Sequence, residues 1–216
     1  MNPFNLRTTA LFARRILLRC TLLFLLLLPP VLASGCFGAK QTVRTDASEP
    51  GPALAFAPEQ IHSPSGDMAA RLPKDWVTID AEQLESPQVF AIACDPAYTL
   101  SVIFSETPAD NAARSILARD GLQGLVDASF QRHVKRSRGR AEMTGETEEF
   151  AIGRRRFAAY TYTTDSMLTL TRVAVFYTNA HVYECALTHL TFNSPDLAGA
   201  RAFRGIHQLI LGSIEW

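Results

Sequence analysis

Alternating apolar and polar positions predict a β-sheet domain in much of this chain. The apolar residues Leu100, Val102 and Phe104 alternate in a pattern that includes the polar residues Ser101 and Ser105, as in a strand with one covered face. Residues 89–93 form a continuous apolar run, which is typical of a strand covered on both faces. Shorter strands are predicted at 68–72 and 77–79, and longer ones at 142–152, 156–163, 168–178 and 181–190. Because only short turn sequences separate the last four strands, they are expected to form an antiparallel meander.

Apolar residues at helical spacing predict a first helix at 110–134. The segment lacks proline, and Asp110 or Asn111 can cap its first turn. Gly121 and a second glycine three residues later weaken the helix, which predicts a break near Asp120.

A second helix is predicted from the sequence Ser194-Pro195-Asp196, in which serine caps, proline fits the first position and aspartate faces the positive helix end. Its apolar side includes Ile206 and Ile210. Helices that cover an antiparallel sheet define an α+β sandwich. Residues 59–216 are long enough for one such domain.

The first 35 residues have the pattern of an export signal. Four arginines and no acidic residue accompany an apolar run at 22–28, which is shorter than the roughly 20 residues needed to span a bilayer. A proline pair ends this run and opens the backbone ahead of Ala33, Ser34 and Gly35. The segment resembles a bacterial lipoprotein signal, with Cys36 as the cysteine that is lipidated.

This resemblance implies that residues 1–35 are removed and that lipid on Cys36 anchors the chain to a membrane. Ala33 stands where such signals usually carry leucine, so ordinary cleavage with a free thiol and an uncleaved anchor stay open. In similar lipoproteins, an aspartate directly after the lipidated cysteine favours retention in the inner membrane. This chain has Phe37 at that position, so the resemblance implies location at the outer membrane, on its periplasmic side or at the surface. An arginine pair near the start leaves twin-arginine export open beside the Sec route.

Charge and composition exclude one class of partner. The chain balances 21 basic against 21 acidic residues, and the part after residue 35, which lacks the four signal arginines, has a net charge of −4. A net acidic chain gives no support for nucleic-acid binding. Residues 36–58 are rich in glycine, proline and small polar residues without apolar periodicity, which predicts a flexible tether.

A second resemblance concerns the domain. The sequence Arg71-Leu72-Pro73-Lys74-Asp75-Trp76 resembles the opening of PsbP-like domains, a group similar to bacterial DcrB lipoproteins. The order of elements agrees across 62–216, including the strand Tyr183-Glu184-Cys185-Ala186-Leu187 and the closing helix. The resemblance implies an α/β/α sandwich that serves as an accessory or binding module of membrane-associated complexes. It supplies no catalytic residues.

Two cysteines of the domain raise the question of a disulfide. Cys94 and Cys185 both lie in predicted strands, and export compartments favour disulfides. A Cys94–Cys185 bridge is one reading, and two small buried thiols are the other. Catalysis by Cys185 with His181 or His189 is disfavoured, because four residues along a strand separate them by about 13 Å.

Other motifs of catalysis are absent from the sequence. There is no Gly-x-Ser-x-Gly elbow, His-Glu-x-x-His zinc helix, glycine-rich phosphate loop or Cys-x-x-Cys pair. We therefore expect no enzymatic activity, no cofactor and no metal. Glu146, Glu148 and Glu149 form a dense acidic group, but they alternate between the faces of a strand, which favours a solvated edge over a calcium site.

The chain has two basic groups, the first at 132–140 and the second at 154–156. If 142–152 is one strand, these groups lie about 35 Å apart and form separate sites. The second group is Arg154, Arg155 and Arg156 at a predicted turn. The first group is a candidate for contact with anionic lipid head groups, with a solvated loop as the alternative. Its candidate contact residues are Arg132, Lys135, Arg136, Arg138 and Arg140.

These observations predict an envelope lipoprotein whose domain is a binding or accessory module for a membrane-associated protein complex. An exposed aromatic or apolar patch would favour a protein partner. An enclosed apolar cavity would favour the alternative, a lipoprotein that binds a small ligand or lipid.

Overall fold

A computed structural model of the protein describes residues 54–80, 86–164, 169–190 and 200–216. In that part of the chain lie two helices, α1 (Asn111–Arg136) and α2 (Ala200–Gly212). The strands there are β1 (Phe56–His62), β2 (Ala69–Pro73), β3 (Val77–Ile79), β4 (Val89–Cys94), β5 (Leu100–Pro108), β6 (Glu142–Met143), β7 (Glu148–Ile152), β8 (Arg155–Thr163), β9 (Thr171–Tyr177) and β10 (His181–His189).

Several sequence predictions lie outside the described residues. They are the signal at 1–35, the lipidated Cys36, most of the tether at 36–58 and the helix start at 194–196. Neither α1 nor α2 combines the length and apolar character needed to cross a bilayer.

Eight strands form one antiparallel sheet in the order β3-β4-β5-β10-β9-β8-β6, and β7 also pairs with β8. Strands β1 and β2 form a separate antiparallel pair. The predicted meander is confirmed, because β7, β8, β9 and β10 pair with their neighbours in chain order. The turn from β7 to β8 contains Gly153 at φ 61°, a left-handed conformation that glycine enters without a side-chain clash.

Both faces of the large sheet are covered, which confirms the predicted α+β sandwich. Helix α1 packs through Leu125 and Val126 against Val173 on one face. Helix α2 packs through Phe203 and Ile210 within the core cluster of the other face. In β9 every residue from 171 to 176 is buried, because side chains alternate between two covered faces.

Helix α1 begins and bends where the sequence predicts. The carboxylate of Asp110 accepts a hydrogen bond from the Ala113 amide at 2.8 Å, which makes it the N-cap. Gly121 takes φ 66° and ψ −153°, so the helix kinks there. A Cβ on Gly124 would lie 2.6 Å from side-chain atoms of Asp120 and Ile116, so glycine is required at that close approach.

Strand β1 corrects the predicted end of the tether. It begins at Phe56, three residues before the predicted domain start, and includes Pro58. The ladder with β2 is irregular between Phe56 and Gln60, where a residue without an amide proton is tolerated.

The predicted strand at 142–152 is also corrected, because it divides into β6 and β7. Gly145 lies between them at φ 78°, outside the extended conformation of a strand.

Candidate functional site

An open cleft of about 480 Å³ lies at one end of the large sheet. Its lining combines three consecutive arginines, two aromatic rings and a polar turn, which are Asp67, Arg154, Arg155, Arg156, Tyr177, Thr178, Asn179, Ala180 and Trp216. We call it the arginine–tryptophan cleft. Tyr177 and Trp216 are 40% and 42% exposed, so both rings are available to a bound molecule.

The register of the meander places the two turns of the cleft side by side. Ile152 pairs with Arg155 at the end of β7 and β8, and Tyr177 pairs with Val182 at the end of β9 and β10. Trp216 is held beside them because the neighbouring residue, Glu215, exchanges two backbone hydrogen bonds with Ala69 at 2.7 and 2.9 Å.

A column of stacked groups runs from one wall of the cleft, formed by Arg155 and Trp216, into the core. The Arg155 guanidinium lies 5.8 Å from the centre of the Trp216 ring, within range of a cation–π contact. Trp216 stacks on Phe176 at 4.9 Å, and Phe176 stacks on Tyr183 at 5.3 Å. Arg155 also donates to the carbonyl oxygen of Gly212 at 3.0 Å. These contacts fix the orientation of the indole.

The column ends at a polar network centred on Asp67. Its carboxylate accepts from the hydroxyl groups of Tyr183, Thr178 at 2.5 Å and Ser65 at 2.7 Å. His181 Nδ1 lies 3.2 Å from the same carboxylate. Burial alone would raise the pKa of Asp67, but the hydrogen bonds from Thr178, Tyr183 and Ser65 outweigh it and hold that pKa well below its usual range. Asp67 is therefore anionic at neutral pH.

Glu106 brings a second carboxylate to this network. Its Oε2 lies 2.9 Å from the Ser65 hydroxyl and 3.3 Å from the Tyr183 hydroxyl. Burial and then the bond to Asp67 raise the pKa of Tyr183, so its hydroxyl stays protonated and donates. Asp67, Glu106 and His181 each offer one atom that could bind a metal ion, and these atoms all lie within 4.8 Å of one another.

A separate charged network lies between α1 and the sheet. The Glu184 carboxylate is nearly buried and pairs with Arg132, while His133 Nε2 lies 3.5 Å away. Burial raises the pKa of Glu184, but the neighbouring His133 and Arg132 outweigh it and lower that pKa to about 2. His133 also stacks on Tyr162 at 4.7 Å. This network fixes the end of α1 on the sheet.

Another charged group lies under α2. Arg172, whose side chain is 5% exposed, pairs with Glu148 at 3.0 Å, and Arg204 of α2 pairs with the same carboxylate at 3.0 Å. This arrangement corrects the prediction of a solvated acidic edge, since Glu148 neutralises a buried arginine. Glu149 pairs with Arg156 at 3.1 Å, and Glu146 is exposed.

Of the two readings of Cys94 and Cys185, the structure supports two buried free thiols and not a bridge. Strand β5 lies between the strands that carry them. In the strand register, Cys94 lies opposite Ser101 of β5, and Cys185 lies opposite Phe104 of β5 from the other side. Two strand spacings alone separate the cysteines by about 10 Å, beyond the 4.4 to 6.8 Å between Cα atoms that a bridge requires.

The predicted lipid-contact residues do not form one uniform group. Arg132 pairs with Glu184, and Arg136 donates to Gln88 at 2.7 Å, so both take part in contacts within the domain. The other three cations, Lys135, Arg138 and Arg140, are exposed. The two basic groups of the sequence lie near opposite ends of β8, since Glu142 pairs with Thr163 and Ile152 with Arg155.

Sequence reasoning missed the cleft as a site. The sequence shows that the Arg154–Arg156 run is basic, but nothing near it in the chain indicates Trp216 or Asp67. One signal is present in the sequence, since Asn179 and Ala180 form the β9–β10 turn and alternate hairpin turns of a meander, here β7–β8 and β9–β10, share one end of the sheet.

No protein-family model and no curated protein matches the chain. Cyanobacterial PsbP from Synechocystis sp. PCC 6803 is similar in structure, with 14% identity, coverage of 78% of this chain and 98% of that chain, and a TM-score of 0.52. The Ran-binding protein Mog1p of Saccharomyces cerevisiae shows 10% identity, coverage of 75% and 95%, and a TM-score of 0.49. The likeness to cyanobacterial PsbP confirms the PsbP-like fold, and at this identity it shows the fold alone.

Proposed function

We propose that the chain is a lipid-anchored, non-catalytic binding module of the cell envelope. Its occupant is an acidic segment of a protein partner, bound in the arginine–tryptophan cleft. The cleft is the observation that carries this proposal, because it joins cationic and aromatic groups in one concave surface at the end of a rigid sheet.

The chemistry of the cleft favours an anionic partner. Arg154 is exposed and makes no ion pair among the described residues, so it can pair with a carboxylate. Arginine presents several donors in a planar fork that matches carboxylates, and tryptophan and tyrosine supply much of the binding energy in protein interfaces. The cleft is open and lined by charges, whereas carriage of an apolar ligand requires an enclosed apolar cavity.

The state of Cys185 supports a role without catalysis. Burial raises the pKa of its thiol far above the usual value, so the reactive thiolate is not formed at neutral pH. His207 Nε2 donates to the Cys185 carbonyl oxygen at 3.0 Å, so this imidazole holds the backbone.

A photo-crosslinking experiment tests partner binding. A photo-reactive benzoylphenylalanine replaces Tyr177 in the cleft or Tyr98, which is exposed at the opposite end of the sheet. We expect a discrete adduct from position 177 that Arg154→Glu abolishes and that position 98 does not form. Equal adducts from both positions, or an adduct unaffected by Arg154→Glu, would contradict the proposal.

Lipid anchoring rests on Cys36 and is tested separately. Cys36→Ser should move the chain from the membrane fraction to the soluble fraction, and mass spectrometry of the parent should find acyl groups on a peptide that begins at Cys36. Cys20→Ser is the matched control, since Cys20 lies within the predicted signal and its loss should change neither result. A parent chain that is released from membranes at high salt would refute the anchor.

We further propose that Lys135, Arg138 and Arg140 contact anionic head groups beneath the tether, since each exposed cation near such a surface adds about 1 kcal/mol. Reversal of these three charges in a Cys36→Ser background should reduce flotation with vesicles that contain phosphatidylglycerol. Unchanged flotation would leave the solvated loop as the correct interpretation.

A further inference from the structure

We propose that Asp67, Glu106 and His181 form a binding site for one divalent cation of the zinc class. Their candidate ligand atoms lie within 4.8 Å of one another. Side-chain rotations that move each atom by about 1 Å would bring all three to the roughly 2.0 to 2.2 Å from a central ion that zinc requires. The residues come from three separate segments, which are the loop after β1 and the strands β5 and β10.

The charge balance of the cluster favours a cation. Two carboxylates share the same two neutral hydroxyl groups, those of Ser65 and Tyr183. Each hydroxyl has one proton and cannot donate to both carboxylates at once. Among the described residues, no arginine or lysine forms an ion pair with Asp67 or Glu106. His181 Nδ1 lies 3.2 Å from Asp67 and would ligate the ion as a neutral imidazole, so a bound cation would supply positive charge to the two carboxylates.

The ligand set and its position define the kind of ion. Two carboxylates and one imidazole suit zinc or a similar transition metal, whereas calcium and magnesium prefer oxygen ligands throughout. Asp67 also lines the arginine–tryptophan cleft, which gives an ion a path from solvent. Zinc binding can be measured on the protein alone, so its test does not depend on the proposed partner.

Calorimetric titration of the purified full chain with Zn²⁺ tests this site. We compare the parent with Glu106→Gln and His181→Ala, which remove ligands at partly exposed positions, and with Glu142→Gln, an exposed glutamate on β6. Circular dichroism verifies that each variant is folded, and comparison with the parent separates this site from any other zinc bound by the chain.

We expect the parent and Glu142→Gln to bind one more equivalent of Zn²⁺ than Glu106→Gln and His181→Ala, or to bind it at least about tenfold more tightly. Ca²⁺ should not compete at the same concentration. Identical zinc binding by the parent and Glu106→Gln, or no binding by the parent, would overturn the proposal, and so would full displacement of zinc by Ca²⁺.

Discussion

The Tyr183 hydroxyl donates a hydrogen bond to the carboxylate of Asp67. This bond joins the loop after β1 to β10, a central strand of the large sheet. The same tyrosine ring stacks on Phe176, which in turn stacks on Trp216. One side chain therefore links the polar network around Asp67 with the aromatic wall of the cleft.

Removal of this hydroxyl should destabilise the domain. Tyr183→Phe leaves Asp67 anionic and without one donor, and hydrogen bonds to charged groups contribute about 1.5 to 3 kcal/mol. Urea unfolding measures the loss. Tyr98→Phe removes an exposed hydroxyl and should stay within about 0.5 kcal/mol of the parent. Equal stability of the two variants would show that the Asp67 bond has no net effect.

The buried His207 should make stability depend on pH. Burial and then the charge of Arg172 lower its pKa to about 3, from an ordinary value of 6.5. Below pH 6.5 the unfolded chain gains a proton that the folded chain does not, so stability falls as the pH decreases from about 6.5 towards 3. The contribution of one such group is at most about 1.4 kcal/mol per pH unit.

Unfolding free energies between pH 7 and 4.5 measure this slope. His207→Gln should reduce it, whereas His62→Gln, at an exposed histidine, should retain the slope of the parent. A slope that is the same in all three proteins would mean that His207 is accessible to protons in the folded state.

Loss of the Glu148 charge should destabilise the domain far more than loss of the Glu146 charge. Glu148→Gln leaves the Arg172 guanidinium buried without its charge partner, and loss of one member of a fully buried pair costs about 3 to 5 kcal/mol. Because Glu148 is partly exposed, we expect a loss of about 1 to 3 kcal/mol in thermal or chemical unfolding. Glu146→Gln, at an exposed position, should have no effect larger than about 0.5 kcal/mol.

The kink of α1 should require glycine. Gly121 has φ 66°, and no neighbouring atom would meet an added Cβ, so Gly121→Ala tests the backbone conformation alone. We expect a loss of about 1 to 3 kcal/mol. Gly212→Ala adds the same methyl group in open space at an ordinary φ and should stabilise the domain slightly, by at most about 1 kcal/mol. A stable Gly121→Ala variant would indicate that α1 can run straight.

The two cysteines of the domain should be free and unreactive in the folded state. Burial raises the pKa of both thiols, and the Asp95 charge adds to this effect at Cys94. A thiol reagent should label Cys94 and Cys185 only after denaturation, without prior reduction. Labelling that requires a reductant would restore the disulfide.

Local signals in the sequence predicted the elements that depend on near neighbours. Asp110 caps α1 because its carboxylate reaches the amide of Ala113, and this spacing is visible in the sequence. The continuous apolar run at 89–93 also predicts a strand from near neighbours alone, and it lies in β4. The sequence does not predict β1, because Pro58 is equally typical of a linker and of an irregular edge strand.

Features that depend on strand order could not be predicted. The positions of Cys94 and Cys185 in two strands do not reveal that β5 lies between them, and this placement alone excludes the disulfide. Asp67, Arg154 and Trp216 meet only after the whole sheet has formed. The candidate site was therefore represented in the sequence by its arginine run alone.

The origin of the cleft in distant segments has a thermodynamic consequence. A molecule seated there touches the first loop, two hairpin turns and the final residue of the chain at once, so it can bind only when all of them are in place. Occupancy of the cleft and cooperative folding would therefore be linked, and a saturating amount of the proposed partner would raise the melting temperature of the entire domain. Partial unfolding of any of these segments would release the proposed partner.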